Sequence, residues 1–343
     1  MASKKVILCW LSLLAIFAQS LVLACDVSVI NEIKRILIQF SVYKKNLKYL
    51  DKLNCSNINK VLLKIDPYSR WIPHPPILKK DKNNVIGIGA ILLERSNRFF
   101  LMPYKFSPLF KHSNGDLIEL FAIDGWIVRG QKYRQVSKRL RGTEGSVVRL
   151  TVKLRKRLKS LYVIREKYKP PAVELLSLNR QAFFRIFHFE SREVTNFVRD
   201  KIENSKYKEV IFDLRACPGG DLFEALDLAS LFLFPGNKLA ILENSTGKRR
   251  LITVPSNLPT FNQSVQIIVG HSTASAAEIF AGIMRYYKRA KIVGKKTAGK
   301  CVSQREYHLS DGSILKISNL KIFFPDMSTC QKTGIILDTY SAY

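Results

Sequence analysis

Apolar residues near the start of the chain recur at helical spacing. Ile30, Ile33, Ile36, Leu37 and Phe40 mark one face of a helix, so residues 26–65 are expected to be helical. Asp66-Pro67-Tyr68-Ser69 ends that region, and Pro73, Pro75 and Pro76 make a linker. From residue 84 the pattern shortens. Val85 to Leu92 reads as a strand opened by Gly87 and Gly89, and Phe99 to Met102 as a second. Asn114-Gly115-Asp116 and Asp124-Gly125 are turn signals around the run Leu117 to Phe121. Gln131 to Leu140 suits a helix. Val147 to Leu154 then alternates, with Arg149, Thr151 and Lys153 against Leu150, Val152 and Leu154, as a half-exposed strand does. Residues 84–155 are therefore expected to form a small β-rich domain.

The pattern changes again after residue 170. Glu209 to Leu214, Val265 to Gly270 and Ala290 to Gly294 read as buried strands, with Leu222 to Phe234 and Ala276 to Tyr287 as the helices between them. Ile314 to Ile317 and Lys321 to Phe324 suggest further strands. Strand–helix alternation predicts an α/β domain of stacked β-α units over 156–343.

Met1 to Ala24 has the form of an export signal: Lys4 and Lys5, the apolar run Val6 to Ala18, then Ala24 before Cys25. Val22-Leu23-Ala24-Cys25 also resembles a bacterial lipobox, which would make Cys25 a lipidation candidate. Residues 25–83 then form the N-terminal helical region and linker. The expected location is periplasmic or cell-envelope associated.

The formal net charge is +29, from 56 Lys and Arg against 27 Asp and Glu. The positive residues are spread over the whole length and no nucleic-acid-binding motif accompanies them, so no nucleic-acid partner is inferred. An exported basic chain can instead lie against an anionic membrane surface. No CxxC or HExxH occurs, so neither a metal nor another cofactor is expected.

Three short segments carry candidate chemistry. Ser275, in Ser272-Thr273-Ala274-Ser275-Ala276-Ala277-Glu278, follows a strand and opens a helix, where the dipole favours developing negative charge. The same residues read more simply as a capping box, with Ser275 and Glu278 satisfying free amides. Lys300 follows Thr297-Ala298-Gly299. It can serve as a base only if its pKa, near 10.4 when free, falls by about 3, and the simpler reading is a surface lysine. Asp213-Leu214-Arg215-Ala216-Cys217-Pro218-Gly219-Gly220 is a strand end and a tight turn whose amides could approach an oxyanion, or merely a link to the next helix. A serine, a lysine base and such a turn suffice for acyl transfer without histidine. His271 and His308 flank the segments but lack the surroundings of a catalytic histidine.

Together the three segments resemble the carboxyl-terminal processing, or tail-specific, peptidases. In that family an aspartate-leucine-arginine strand leads into a Pro-Gly-Gly turn, a small-residue segment ending in glutamate carries the nucleophile, and a glycine-lysine segment carries the base. The resemblance implies that Ser275 is the nucleophile, that Lys300, 25 residues on, is the base, and that Gln304 orients it. It implies an oxyanion hole from the amides of Ala276 and of Gly219 or Gly220. It implies a crotonase-like catalytic domain with an inserted PDZ-like domain, in which Gly87, Ile88 and Gly89 would receive the tail of a protein or peptide substrate with an apolar C-terminus. The chain departs from the family pattern at Thr273 and Ala277, where serines are usual. Cys217 stands in place of asparagine, Cys301 in place of a glycine, and 111–113 is shortened. A catalytically impaired peptide-binding protein of the same fold is the alternative. If the site assembles as the resemblance implies, Cys217 and Cys301 adjoin one pocket, either as small buried fillers or joined as a disulfide.

Overall fold

A computed structural model describes residues 26–73, 85–95, 97–113, 116–154, 157–178 and 180–340. The expected export signal, Cys25, Pro75, Pro76 and the Asn114-Gly115 turn lie outside the described residues. The described residues divide into two compact units.

The smaller unit holds the residues up to Pro73 together with 243–248 and 303–321. Its first helix, Val27–Phe40, buries Val29, Ile30, Ile33, Ile36 and Leu37, the face that the spacing predicts. Phe40 is half-buried and stacks on Tyr307 with ring centroids 5.2 Å apart. The helix stops because Ser41 turns extended, and the Ser41 hydroxyl accepts from Tyr43 N at 3.2 Å. A 3₁₀ stretch, Lys44–Lys52, and a helix, Ile58–Ile65, follow. Leu62, Ile65, Leu315 and Ile317 share one core with the first helix. Asp66 is more than a helix stop. It is fully buried, and its carboxylate accepts from Tyr68 N at 2.9 Å, Ser69 Oγ at 2.6 Å and Ser318 N at 2.8 Å. Strand Arg70–Ile72 then pairs antiparallel with Ile314–Phe323.

The larger unit contains two sheets that bear on the site. One is antiparallel, in the order Ala90–Arg95, Arg98–Pro103, Ile118–Ile123, Val147–Leu154, Arg157–Ile164. Phe99, Leu101, Ile118, Leu150 and Val163 fill its core together with Val136 of the helix Tyr133–Leu140. Val148, Leu150, Val152 and Leu154 point inward while Arg149 and Lys153 face solvent, as the alternation predicts. The expected boundary at 155 falls inside a hairpin, because Leu154 pairs with Arg157. Strand Glu166–Tyr168 returns to pair with Val85–Gly87, so the β-rich piece runs to Tyr168. Its second hairpin strand was missed because Arg157, Leu158, Lys159 and Ser160 are all exposed and carry no alternation.

The other sheet is mixed, in the order Val173–Leu178, Gln181–Ile186, Glu209–Asp213, Ser264–Val269, Ala290–Gly294, Thr339–Tyr340. The first pair is antiparallel and the others are parallel. Helices Leu222–Ser230 and Ala276–Tyr286 follow the two central parallel strands. Phe212 meets Phe280 of the second helix edge-on at 5.2 Å, which fixes that helix on the sheet. In open parallel sheets the turns beyond the carboxyl ends of the strands are where ligands are met. Two such turns here carry Gly219 and Ser275.

Candidate active site

Strands Glu209–Asp213 and Ser264–Val269 end side by side, with Asp213 opposite Ile268. Buried Thr273 draws the two following turns together. Its Oγ1 donates to Leu214 O at 2.7 Å and accepts from Gly270 N at 2.9 Å. Ala274 N donates to Cys217 O at 3.1 Å. Ser275 then sits at the helix start with φ 56° and ψ −124°, a region that residues with a Cβ rarely enter and that is populated at functional turns. Gly219 lies against it. A Cβ added there would fall 2.8 Å from Ser275 Cβ and 3.0 Å from Ala276 N, so only glycine lets the turns close. Gly220 is tied into strand-like pairing with Phe189. Ala276 is the first residue of its helix, so its amide has no intrahelical acceptor.

The Lys300 segment reaches the same place through Glu278. This carboxylate is fully buried. Its Oε2 accepts from Ser275 N at 3.0 Å and from Lys300 N at 2.8 Å, and its Oε1 accepts from Thr297 Oγ1 at 2.6 Å and Gly299 N at 2.7 Å. Ala298 N donates to Thr273 O at 3.0 Å. Four charge-assisted hydrogen bonds thus hold the Ser275 and Lys300 backbones in a fixed relation. Both residues are half-buried. Gln304 lies four residues beyond Lys300 on the strand Val302–His308, where its Nε2 donates to Tyr68 O at 2.8 Å.

Asp213 and Arg215 form a clamp at the strand end. Buried Asp213 accepts from Arg215 Nε at 2.9 Å and Nη2 at 2.8 Å. That carboxylate raises the Arg215 pKa further. Cys217 is fully buried, and burial pushes its thiol up to about 12, so it stays protonated near neutral pH. The two cysteines do not share a bond. Cys301 is joined to Cys330, with Cα atoms 5.5 Å apart, and Cys217 is the buried filler of the simpler alternative. His271 and His308 are exposed.

Beside the Gly219 turn is a cavity of about 370 Å³. Gly87, Ile88 and Gly89 line it together with Tyr133 and Arg141, and so do Ala216 and Pro218 of the Gly-turn segment.

Residues 180–341 match the model of Peptidase family S41. A probable CtpA-like serine protease of Staphylococcus haemolyticus (strain JCSC1435) is 29% identical over 322 residues, covering 90% of this chain and 64% of the relative. One from Staphylococcus epidermidis (strain ATCC 12228 / FDA PCI 1200) is 30% identical over 301 residues, covering 85% and 61%. Residues 180–341 belong to peptidase family S41. The chain spans less than two thirds of the length of these curated relatives. Among solved structures, the photosystem II D1 C-terminal processing protease shares the fold with TM-score 0.60 at 19% identity, over 91% of this chain and 92% of that one. A putative S41 protease from Bacteroides fragilis NCTC 9343 does so with TM-score 0.62 at 15% identity, over 92% and 90%.

In this S41 segment the Ser-x-x-Glu spacing points to a capping box, and Glu278 does accept from the Ser275 amide. The bonds from Glu278 to Thr297, Gly299 and Lys300 had no signal in the sequence, because they span 19 to 22 residues. Glu278→Gln should keep the helix cap but cannot accept at both former oxygens. It should lower kcat by on the order of a hundredfold, as small misplacements of reacting groups do, and unfold at lower temperature. Wild-type kcat in Glu278→Gln would show that the bridge does not position the site.

Proposed function

We propose that this chain is a serine endopeptidase that cleaves exported proteins near their C-termini. One observation carries the proposal: Ser275 occupies a strained helix-start turn against Gly219, with its amide and that of Lys300 on one buried carboxylate. Ser275 Oγ attacks the scissile carbonyl carbon as its proton passes to neutral Lys300 Nζ. The oxyanion is received by the amides of Ala276 and of Gly219 or Gly220. When the tetrahedral intermediate collapses, the C–N bond breaks and the amine leaves with the proton from Lys300. A water then repeats the sequence on the acyl-enzyme, with Lys300 again taking and returning a proton. Gln304 orients Lys300. The alternative is a spoiled base, with the residue after Lys300 joined to Cys330.

In this proposal the β-rich piece is a PDZ-like module inserted into a crotonase-like catalytic domain. It receives an apolar substrate tail along Gly87, Ile88 and Gly89. The cavity shared by those residues and the Gly-turn segment supports this use, because a tail bound there lies beside the oxyanion turn. The leader pattern supports export to the periplasm or cell envelope, where a chain of charge +29 also meets anionic lipid. The test is degradation of an unfolded polypeptide with an apolar C-terminus, beside the same polypeptide amidated at that end. Amidation should raise KM or lower kcat. Equal rates on both would refute tail reading while leaving peptidase activity standing.

A further inference from the structure

The turn that carries Lys300 is held from a second direction, by the irregular segment 330–335. Lys332 N donates to Gly299 O at 2.8 Å, and Ile335 N donates to Thr297 Oγ1 at 2.8 Å. Gln331 Oε1 accepts from Cys301 N at 2.7 Å. Gly299 has no room for a side chain, because a Cβ would lie 2.9 Å from Lys332 C. The one covalent link in this set is Cys301–Cys330, placed directly after Lys300. Both cysteines are 1% exposed.

Segment 330–335 belongs to no helix or strand. Its grip on the Lys300 turn rests on these few bonds, and a cross-link closing 29 residues removes much of its freedom to leave. A lysine base reaches its partner through a long flexible stem, so its aim depends on how firmly its backbone is fixed. We propose that the Cys301–Cys330 disulfide is a positioning element for Lys300, so that full peptidase activity requires the oxidised chain.

This inference rests on Lys300 being the base in the function proposed above. Reduction by a dithiol would pass two electrons and two protons to the pair. The S–S bond breaks, Cys301 and Cys330 become thiols, and the dithiol closes into its own disulfide. Because both sulfurs are buried, that exchange is slow in the folded chain, and the cross-link acts as a standing brace.

The experiment compares the wild-type chain with Cys301→Ser/Cys330→Ser on unfolded β-casein, with Ser275→Ala as the blank. The double variant should lose on the order of tenfold to a hundredfold in kcat, with little change in KM. The rising limb of its pH profile should move to higher pH. Amide exchange at 297–302 should quicken while that at 210–220 does not. An unchanged kcat and pH limb in the double variant would overturn the inference. So would a loss of rate that only tracks the folded fraction, since that is a structural role. A wild-type chain with no Ser275-dependent cleavage would overturn the peptidase proposal itself and this inference with it.

Discussion

Ser275→Ala should abolish cleavage of an unfolded polypeptide while the chain stays folded. In serine peptidases the loss of the nucleophile costs on the order of 10⁶ in kcat, so residual turnover should sink to the blank. The fold should tolerate the change. Only a hydroxyl is lost at the helix start, and it makes no cap hydrogen bond there. The Glu278 bond to the 275 amide is a backbone bond and survives. The backbone at 275 sits at φ 56°, a conformation costing on the order of 1–3 kcal/mol for residues with a Cβ. Alanine keeps that strain and glycine relieves it. Ser275→Gly should therefore be equally inactive and unfold at a higher temperature than Ser275→Ala. Measured turnover in well-folded Ser275→Ala would remove Ser275 as the nucleophile. A Ser275→Gly chain less stable than the alanine variant would show that the turn is not strained.

The parts of this molecule that were legible in its sequence are those written in short-range pattern. The face Ile30, Ile33, Ile36 and Leu37 is buried as its spacing implies, and the three strands Glu209–Asp213, Ser264–Val269 and Ala290–Gly294 lie where continuous apolar runs put them. The meeting of the Gly219 and Ser275 turns was foreshadowed by residue type, since two glycines beside a small-residue helix start permit close approach. What escaped was long-range pairing. The strand Arg157–Ile164 has an exposed first half and borrows its order from Val147–Leu154. Cys301 and Cys330 are equivalent to other cysteines until the chain brings 330–335 back along 297–301. Glu278 is a cap by spacing and a bridge only by virtue of the fold, because Gly299 and Lys300 reach it from another strand's end.

Lys300→Arg should be inactive at every pH, and the wild type should gain activity as pH rises. A general base must begin each cycle without its proton. A lysine with an unperturbed pKa near 10.4 is neutral in roughly one molecule in 2,500 at pH 7, a penalty of on the order of 10³ in rate. The proposal therefore requires a site that favours the neutral amine, as burial does for a lysine. The sign follows from the proton count. Neutral amine accumulates as pH rises through the apparent pKa, so kcat/KM should climb along one limb and level off above it, with the midpoint below that of free lysine. Arginine keeps the length and positive charge of the side chain, and the 300 amide keeps its bond to Glu278, so the fold is preserved. Its guanidinium stays protonated throughout the accessible range, and no proton can be taken from Ser275. The measurement is kcat/KM from about pH 6 to pH 10 for the wild type, with Lys300→Arg assayed alongside. A flat profile would mean that no lysine titrates into its active form over this range. Cleavage by Lys300→Arg would hand the role of base to another group.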